Sequence, residues 1–334
     1  MFHLNASRLR AATATATAGT VAAIVLAGCG AGEAKDAPSA NGQTTVTFAY
    51  VPSPGIAPIF VGIGQGYFRE QGIDLKPVVV GAGQLSPAIM SGQNDLSFDA
   101  VPGVIGSVSN GLPVQVVAQT STNEAGAAGG TGRDLLVRKG SGITKAADLI
   151  GKKVGVQRLG AAGDVALQML ARQQSGNPAA KVNVLAVPVT SMETSLRSGD
   201  VDAVNVADPD ATQMRATGQF ESLGDPSQAA FGAAPDKVVT ATKMWIKEHP
   251  DLLGKLRAAI AKSDAYAQRN PDAVRQVLIS EWKTPAEVAA QTHWPAFSDA
   301  VDAKATQSIA DAMHDLGLIK QPVDATALFP AGKS

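Results

Sequence analysis

The sequence predicts an α/β fold built as two lobes with a cleft between them, and three observations carry that reading. From Thr44 onward, short β-branched runs alternate with helical segments, the pattern of sheets with crossover helices. Strand and helix recur as two similar blocks, 45–99 and 153–208. After Thr242 the chain turns mainly helical, punctuated by Pro250 and Pro271.

Strands are predicted at 45–50, 74–80, 96–99, 114–119, 135–137, 153–157, 182–187 and 203–206, where β-branched and other apolar residues cluster. Helices are predicted between them at 57–65, 86–91, 102–110, 146–149, 164–174 and 191–198. Several are followed by glycine (Gly66, Gly92, Gly111, Gly151, Gly199), the residue that best tolerates the left-handed conformation past a helix end. The segment 123–132, NEAGAAGGTG, has no apolar period and is predicted to be a flexible loop, either joining the lobes or forming a mobile lip. No further strong strand is predicted beyond Thr242. In open α/β sheets ligands sit outside the carboxyl ends of strands, so the loops there are the candidates for function.

The first 28 residues hold Arg8 and Arg10, no acid, and a moderately apolar Ala/Thr/Val/Ile run, the pattern of a signal peptide. That run is short for a stable membrane span. It ends in Leu26-Ala27-Gly28-Cys29, which resembles a bacterial lipobox and holds the only cysteine in 334 residues. The resemblance implies that Cys29 is diacylated and anchors the mature chain to the membrane. The alternative is a secreted protein with one stray thiol; a disulfide framework within one chain is excluded. Residues 29–43 are then the lipidated cysteine and a polar, flexible tether.

Removing residues 1–28 takes two arginines from 28 basic residues and nothing from 29 acidic ones, leaving a formal charge of −3. Nothing here attracts nucleic acid or an anionic membrane. With 45% hydrophobic residues in the full sequence, the mature chain has ample apolar surface for one large or two ordinary domains without disulfide or metal. Aromatics, at 4%, supply few stacking platforms.

Four segments in order carry a family resemblance: PIFVGIGQGYFREQGIDL from Pro58 to Leu75, IMSGQNDLS from Ile89 to Ser97, DLIGKKVGV from Asp148 to Val156, and LRSGDVDAV from Leu196 to Val204. They resemble the binding proteins that serve ABC importers of sulfonates, taurine, nitrate and thiamine-precursor pyrimidines. The segment from Trp245 to Val277 is similar to that family's C-terminal helices. The resemblance implies a periplasmic binding protein type II fold: two Rossmann-like lobes, a hinge and an interlobe cleft. Lobe 1 is then 44–121 with 233–334, and lobe 2 is 122–232. It further implies a monomer that closes on a small solute and presents it to a permease and its ATPase, with no cofactor or metal.

Loops after the strands give the candidate ligand contacts. In the first lobe these are Tyr50, Pro52 and Ser53, then Gly83 and Gln84, then Asp99 and Ala100, with turn or helix-capping roles as the alternative. Thr120, Ser121 and Thr122 offer three hydroxyls near the expected hinge. In the second lobe, Gly160, Ala161 and Ala162 lie where a strand turns into a helix, a place for free backbone N–H groups to hold an anion. The serine or threonine that anion-binding relatives place there is absent. Arg158 restores positive charge if it points inward; Asn205 and Asp208 close the following strand. Together Asp99 and Asp208 suit an amine, an amidine-like heterocycle or a zwitterion.

An enzyme reading has one specific form, a pyrimidine synthase on this fold, which needs a Schiff-base lysine and a reactive histidine. After processing, the remaining His249, His293 and His314 all fall in the C-terminal part. A membrane-anchored solute sensor is a third class, which this sequence does not separate from transport.

Overall fold

The computed structural model describes residues 42–329. The leader, Cys29 and nearly all of the tether lie outside the described residues. Two sheets organise the rest.

The first has the order β11-β4-β10-β3-β1-β2, formed by β1 (Thr44–Tyr50), β2 (Ile73–Val79), β3 (Leu96–Ala100), β4 (Val114–Gly130), β10 (Pro235–Thr242) and β11 (Trp294–Phe297). β1 pairs in parallel with β2 and β3, whereas β10 runs antiparallel to both β3 and β4. The second has the order β7-β6-β8-β5-β9, from β5 (Arg133–Arg138), β6 (Lys153–Val156), β7 (Asn183–Ala186), β8 (Ala203–Ala207) and β9 (Phe220–Ser222).

Strand side chains alternate between faces, and both faces of each sheet are covered. Val117 and Val239 pack with Phe48, Ile59, Leu256 and Ile260 under helices Ala57–Gln65 and Pro250–Arg269. Their neighbours Val116 and Val238 pack on the other face with Val104, Ile309 and Met313, under helices Val101–Ser109 and Ala303–Asp315. In the second sheet Leu135 and Val137 face Leu149 and Leu167, while Leu136 faces Met192 and Leu196. Each large apolar side chain so buried contributes about 1.5–3 kcal/mol.

Three sequence expectations are corrected. The supposed loop 123–132 is strand through Gly130, paired with β11 at Ala125 and Gly130. Its glycines mark close approach: a Cβ on Gly126 would stand 2.5 Å from the carbonyl oxygens of Trp294 and Pro295, and one on Gly130 would meet the His293 side chain at 2.8 Å. β10 was not expected because Asp236 and Lys237 interrupt an apolar run that is buried on both faces. β11 lies beyond Thr242, four residues long and interrupted by Pro295. Among the described residues, no helix is long and apolar enough to cross a membrane.

Candidate functional site

A cavity of about 110 Å³ lies between the two sheets, lined from both. Arg158, in the loop after β6, reaches from the second lobe to Asp99 at the end of β3 in the first; Nη2 lies 3.0 Å from Oδ1. Asp99 also accepts the Ala100 N–H at 2.7 Å. Its burial raises the carboxyl pKa, with the Arg158 charge opposing.

Helix Ala162–Ser175 starts at this cavity without a side-chain cap. Its first intrahelical donor is Val165, bonded to Ala161 O, so the N–H groups of Ala162, Gly163 and Asp164 have no backbone partner among the described residues. Asp164 turns one oxygen back onto the Gly160 N–H at 2.8 Å. Its other oxygen, the Ser53 hydroxyl and the Asn205 amide nitrogen are buried with no partner among the described residues. Burial raises the Asp164 pKa. Asn205 packs directly over Gly163, where an added Cβ would stand 2.2 Å from its Oδ1.

Lys237 and Arg133 complete the floor. Lys237 Nζ is 3.0 Å from Asp236 Oδ1, and Arg133 Nη1 is 3.9 Å from the same oxygen. Neighbours on a regular strand point to opposite faces; here register shifts on both sides of Lys237 let the adjacent Asp236 and Lys237 meet. Burial pushes the Lys237 ammonium below the usual lysine range, with Asp236 opposing. Three cations, Arg133, Arg158 and Lys237, therefore share the lining of one small space with Asp99 and Asp164, while Asp236 pairs with Lys237 and Arg133 outside that lining. Such a site offers fixed donors to an anionic or carbonyl group and acceptors to an amine.

Of the residues expected from sequence, Pro52, Ser53, Asp99, Ala100, Arg158, Ala161, Ala162 and Asn205 line this cavity. The others lie elsewhere. Tyr50 stacks on Phe48 and meets Phe60 edge-on in the core. Gly83 and Gln84 sit on an exposed turn, Ala82–Gln84. Thr120, Ser121 and Thr122 are buried within β4, with the Thr120 hydroxyl 3.4 Å from Gly55 O and Lys237 O. Gly160 takes φ 70° and closes the turn onto Asp164. Asp208 caps helix Asp210–Ala216 through the Thr212 N–H at 2.8 Å, and its second oxygen accepts the His293 N–H at 2.8 Å. The sequence reading missed Arg133 and Lys237. Arg133 opens β5 beside the supposed loop and Lys237 belongs to the unexpected β10, so only pairing of those strands brings them to the site.

A family profile described as NMT1/THI5 like matches residues 53–274. The Saccharomyces cerevisiae protein named 4-amino-5-hydroxymethyl-2-methylpyrimidine phosphate synthase THI11 is 26% identical over 242 residues, 69% of this chain and 68% of that protein. Among solved structures, the periplasmic aliphatic sulphonate binding protein SsuA from Escherichia coli superposes with a TM-score of 0.70 at 19% identity, covering 85% of this chain and 97% of its own. The periplasmic nitrate-binding protein NrtA from Synechocystis PCC 6803 gives 0.69 at 16% identity, covering 86% and 85%. These two show the fold, with its two lobes around a cleft. The chain belongs to the NMT1/THI5-like family and has the periplasmic binding protein fold.

Proposed function

We propose that this protein is the solute-binding component of an ABC importer, outside the cytoplasm, delivering a small organic solute to a membrane permease and its ATPase. The observation that carries this reading is the Asp99–Arg158 ion pair, made between lobes at a cavity whose lining residues Ser53, Asp164 and Asn205 carry unpartnered buried polar atoms. Contacts that exist only when the lobes meet are what couple solute binding to closure. The mixed charge favours a solute with both an anionic or carbonyl end and an amine or amidine-like end, as in taurine or a thiamine-precursor pyrimidine. The names of the sulphonate- and nitrate-binding neighbours support a transport role.

A panel of taurine, alkanesulfonates, nitrate and aminopyrimidines tests this by melting temperature. A 100-fold excess over Kd stabilises by about 2.7 kcal/mol, a shift of roughly 5 °C. Selective stabilisation by one class supports the reading, and no shift across the panel counts against it. The yeast relatives' name favours a synthase as the second reading, and the Lys237 side chain lines the cavity. Among the described residues, none of those lining the cavity is the histidine that reading needs, and we prefer binding. Pyrimidine product formed at the expense of added pyridoxal phosphate would reverse that preference. A sensor role differs only in the membrane partner. We assign membrane attachment to Cys29; Cys29→Ser should release the protein from membranes, and retention would refute the assignment.

A further inference from the structure

A second cavity, of about 300 Å³, lies wholly within the first lobe and shares no lining residue with the interlobe one. It sits between β4 and helix Pro250–Arg269, with Val301 and Phe329 closing its side. Gln119 lines it at 1% exposure, and neither its Oε1 nor its Nε2 has a partner among the described residues. A buried amide stripped of water and left unpaired is costly, which favours an occupant at this wall. Arg257 lines the same space. Its Nε donates to Val117 O at 2.7 Å, and its terminal nitrogens have no hydrogen-bond or ion-pair partner among the described residues. Burial lowers its pKa, the expected cost of a guanidinium without a counter-ion.

The remaining walls are largely apolar, including Ala258, Ala261, Val301 and Phe329. Along the apolar walls water finds few partners, and the polar side chains are Gln119 and Arg257, with Asp299 at the rim. The exposed Asp299 at the rim repels a doubly charged anion. We propose that this cavity is a second small-molecule site for a monocarboxylate with a short apolar body, its carboxylate held by Arg257 and the Gln119 amide N–H. It extends the function proposed above and does not depend on it.

The test is titration of the full chain with hexanoate, using hexanol and hexylammonium as controls. Saturable 1:1 binding of hexanoate alone is expected, weakened about tenfold or more by Gln119→Met and by Arg257→Met. Asn205→Ala, in the interlobe cavity, should leave it unchanged. If the methionine variants do not fold, Arg257→Lys should still weaken binding by loss of the planar fork. No saturable binding, equal binding of hexanol, undiminished affinity in the variants, or loss with Asn205→Ala would overturn the proposal. So would a crystal structure grown with hexanoate that holds water alone in this cavity.

Discussion

Replacing Arg158 with alanine should weaken lobe closure without weakening either lobe. The Arg158 guanidinium meets Asp99 at 3.0 Å, with the Asp99 side chain 7% exposed and that of Arg158 31% exposed. A hydrogen bond to a charged partner contributes about 1.5–3 kcal/mol net. The partial exposure of Arg158 lowers this to about 1–2 kcal/mol through solvent screening. Because the two residues come from different lobes, the loss falls on the open–closed equilibrium, a factor of roughly 5–30 in solute affinity. Asp99→Asn should reduce the further effect of Arg158→Ala, since the charge left unpaired is then gone. The closed fraction is read from electron-spin distances between labels on the two lobes, and affinity by calorimetry. Acid should mimic the mutation: burial raises the Asp99 pKa, so falling pH protonates it and removes the ion pair at a higher pH than for an ordinary aspartate. Unchanged closure and affinity, or a loss seen only as a lower melting temperature, would refute the reasoning.

Gly163→Ala would gain up to about 1 kcal/mol in an exposed helix, but here its Cβ would lie 2.2 Å from Asn205 Oδ1. A lower melting temperature, by roughly 1–3 kcal/mol of stability, and weakened solute binding are expected; a more stable protein would contradict the packing. Gly62→Ala should cost about 1–3 kcal/mol in denaturant unfolding, because its Cβ would stand 1.9 Å from Ser263 Oγ where two helices cross. Adding Ser263→Gly should recover at least part of that loss, and simple additivity would count against it. Asp264 is buried with both oxygens unpartnered among the described residues, and burial, then the Asp299 charge, raises its pKa well above the usual range. The native state therefore keeps a proton that the unfolded chain releases near pH 4, so stability from this group falls as pH rises above that value. Asp264→Asn should flatten that fall in unfolding free energy, whereas parallel pH profiles would contradict it.

Much of the fold was legible because it rests on local signals. Helix Ala57–Gln65 ends at Gly66 with φ 81°, as the sequence pattern required. β1, β3, β6 and β8 each read as a short apolar run. What escaped was decided by partners distant in sequence. The Gly/Ala segment after Asn123 looked like a linker, yet its small residues admit the backbone of β11 at close range. For the site, Ser53, Asp99 and Asn205, brought forward by their position at strand ends, line the cavity. The same rule brought Tyr50 and Asp208 forward, but aromatic stacking draws Tyr50 into the core and two backbone N–H groups hold Asp208. Arg133 and Lys237 have no local signature; a strand pairing and a bulge place them.

The most direct test of the central claim is calorimetric titration of the purified protein with taurine, alkanesulfonates and aminopyrimidines, run in parallel on Asn205→Ala. Saturable 1:1 binding of one class is expected, weakened about tenfold when the Asn205 amide is removed. Absence of binding across the panel, or affinity untouched by Asn205→Ala, would contradict the assignment of the interlobe cavity as a solute site.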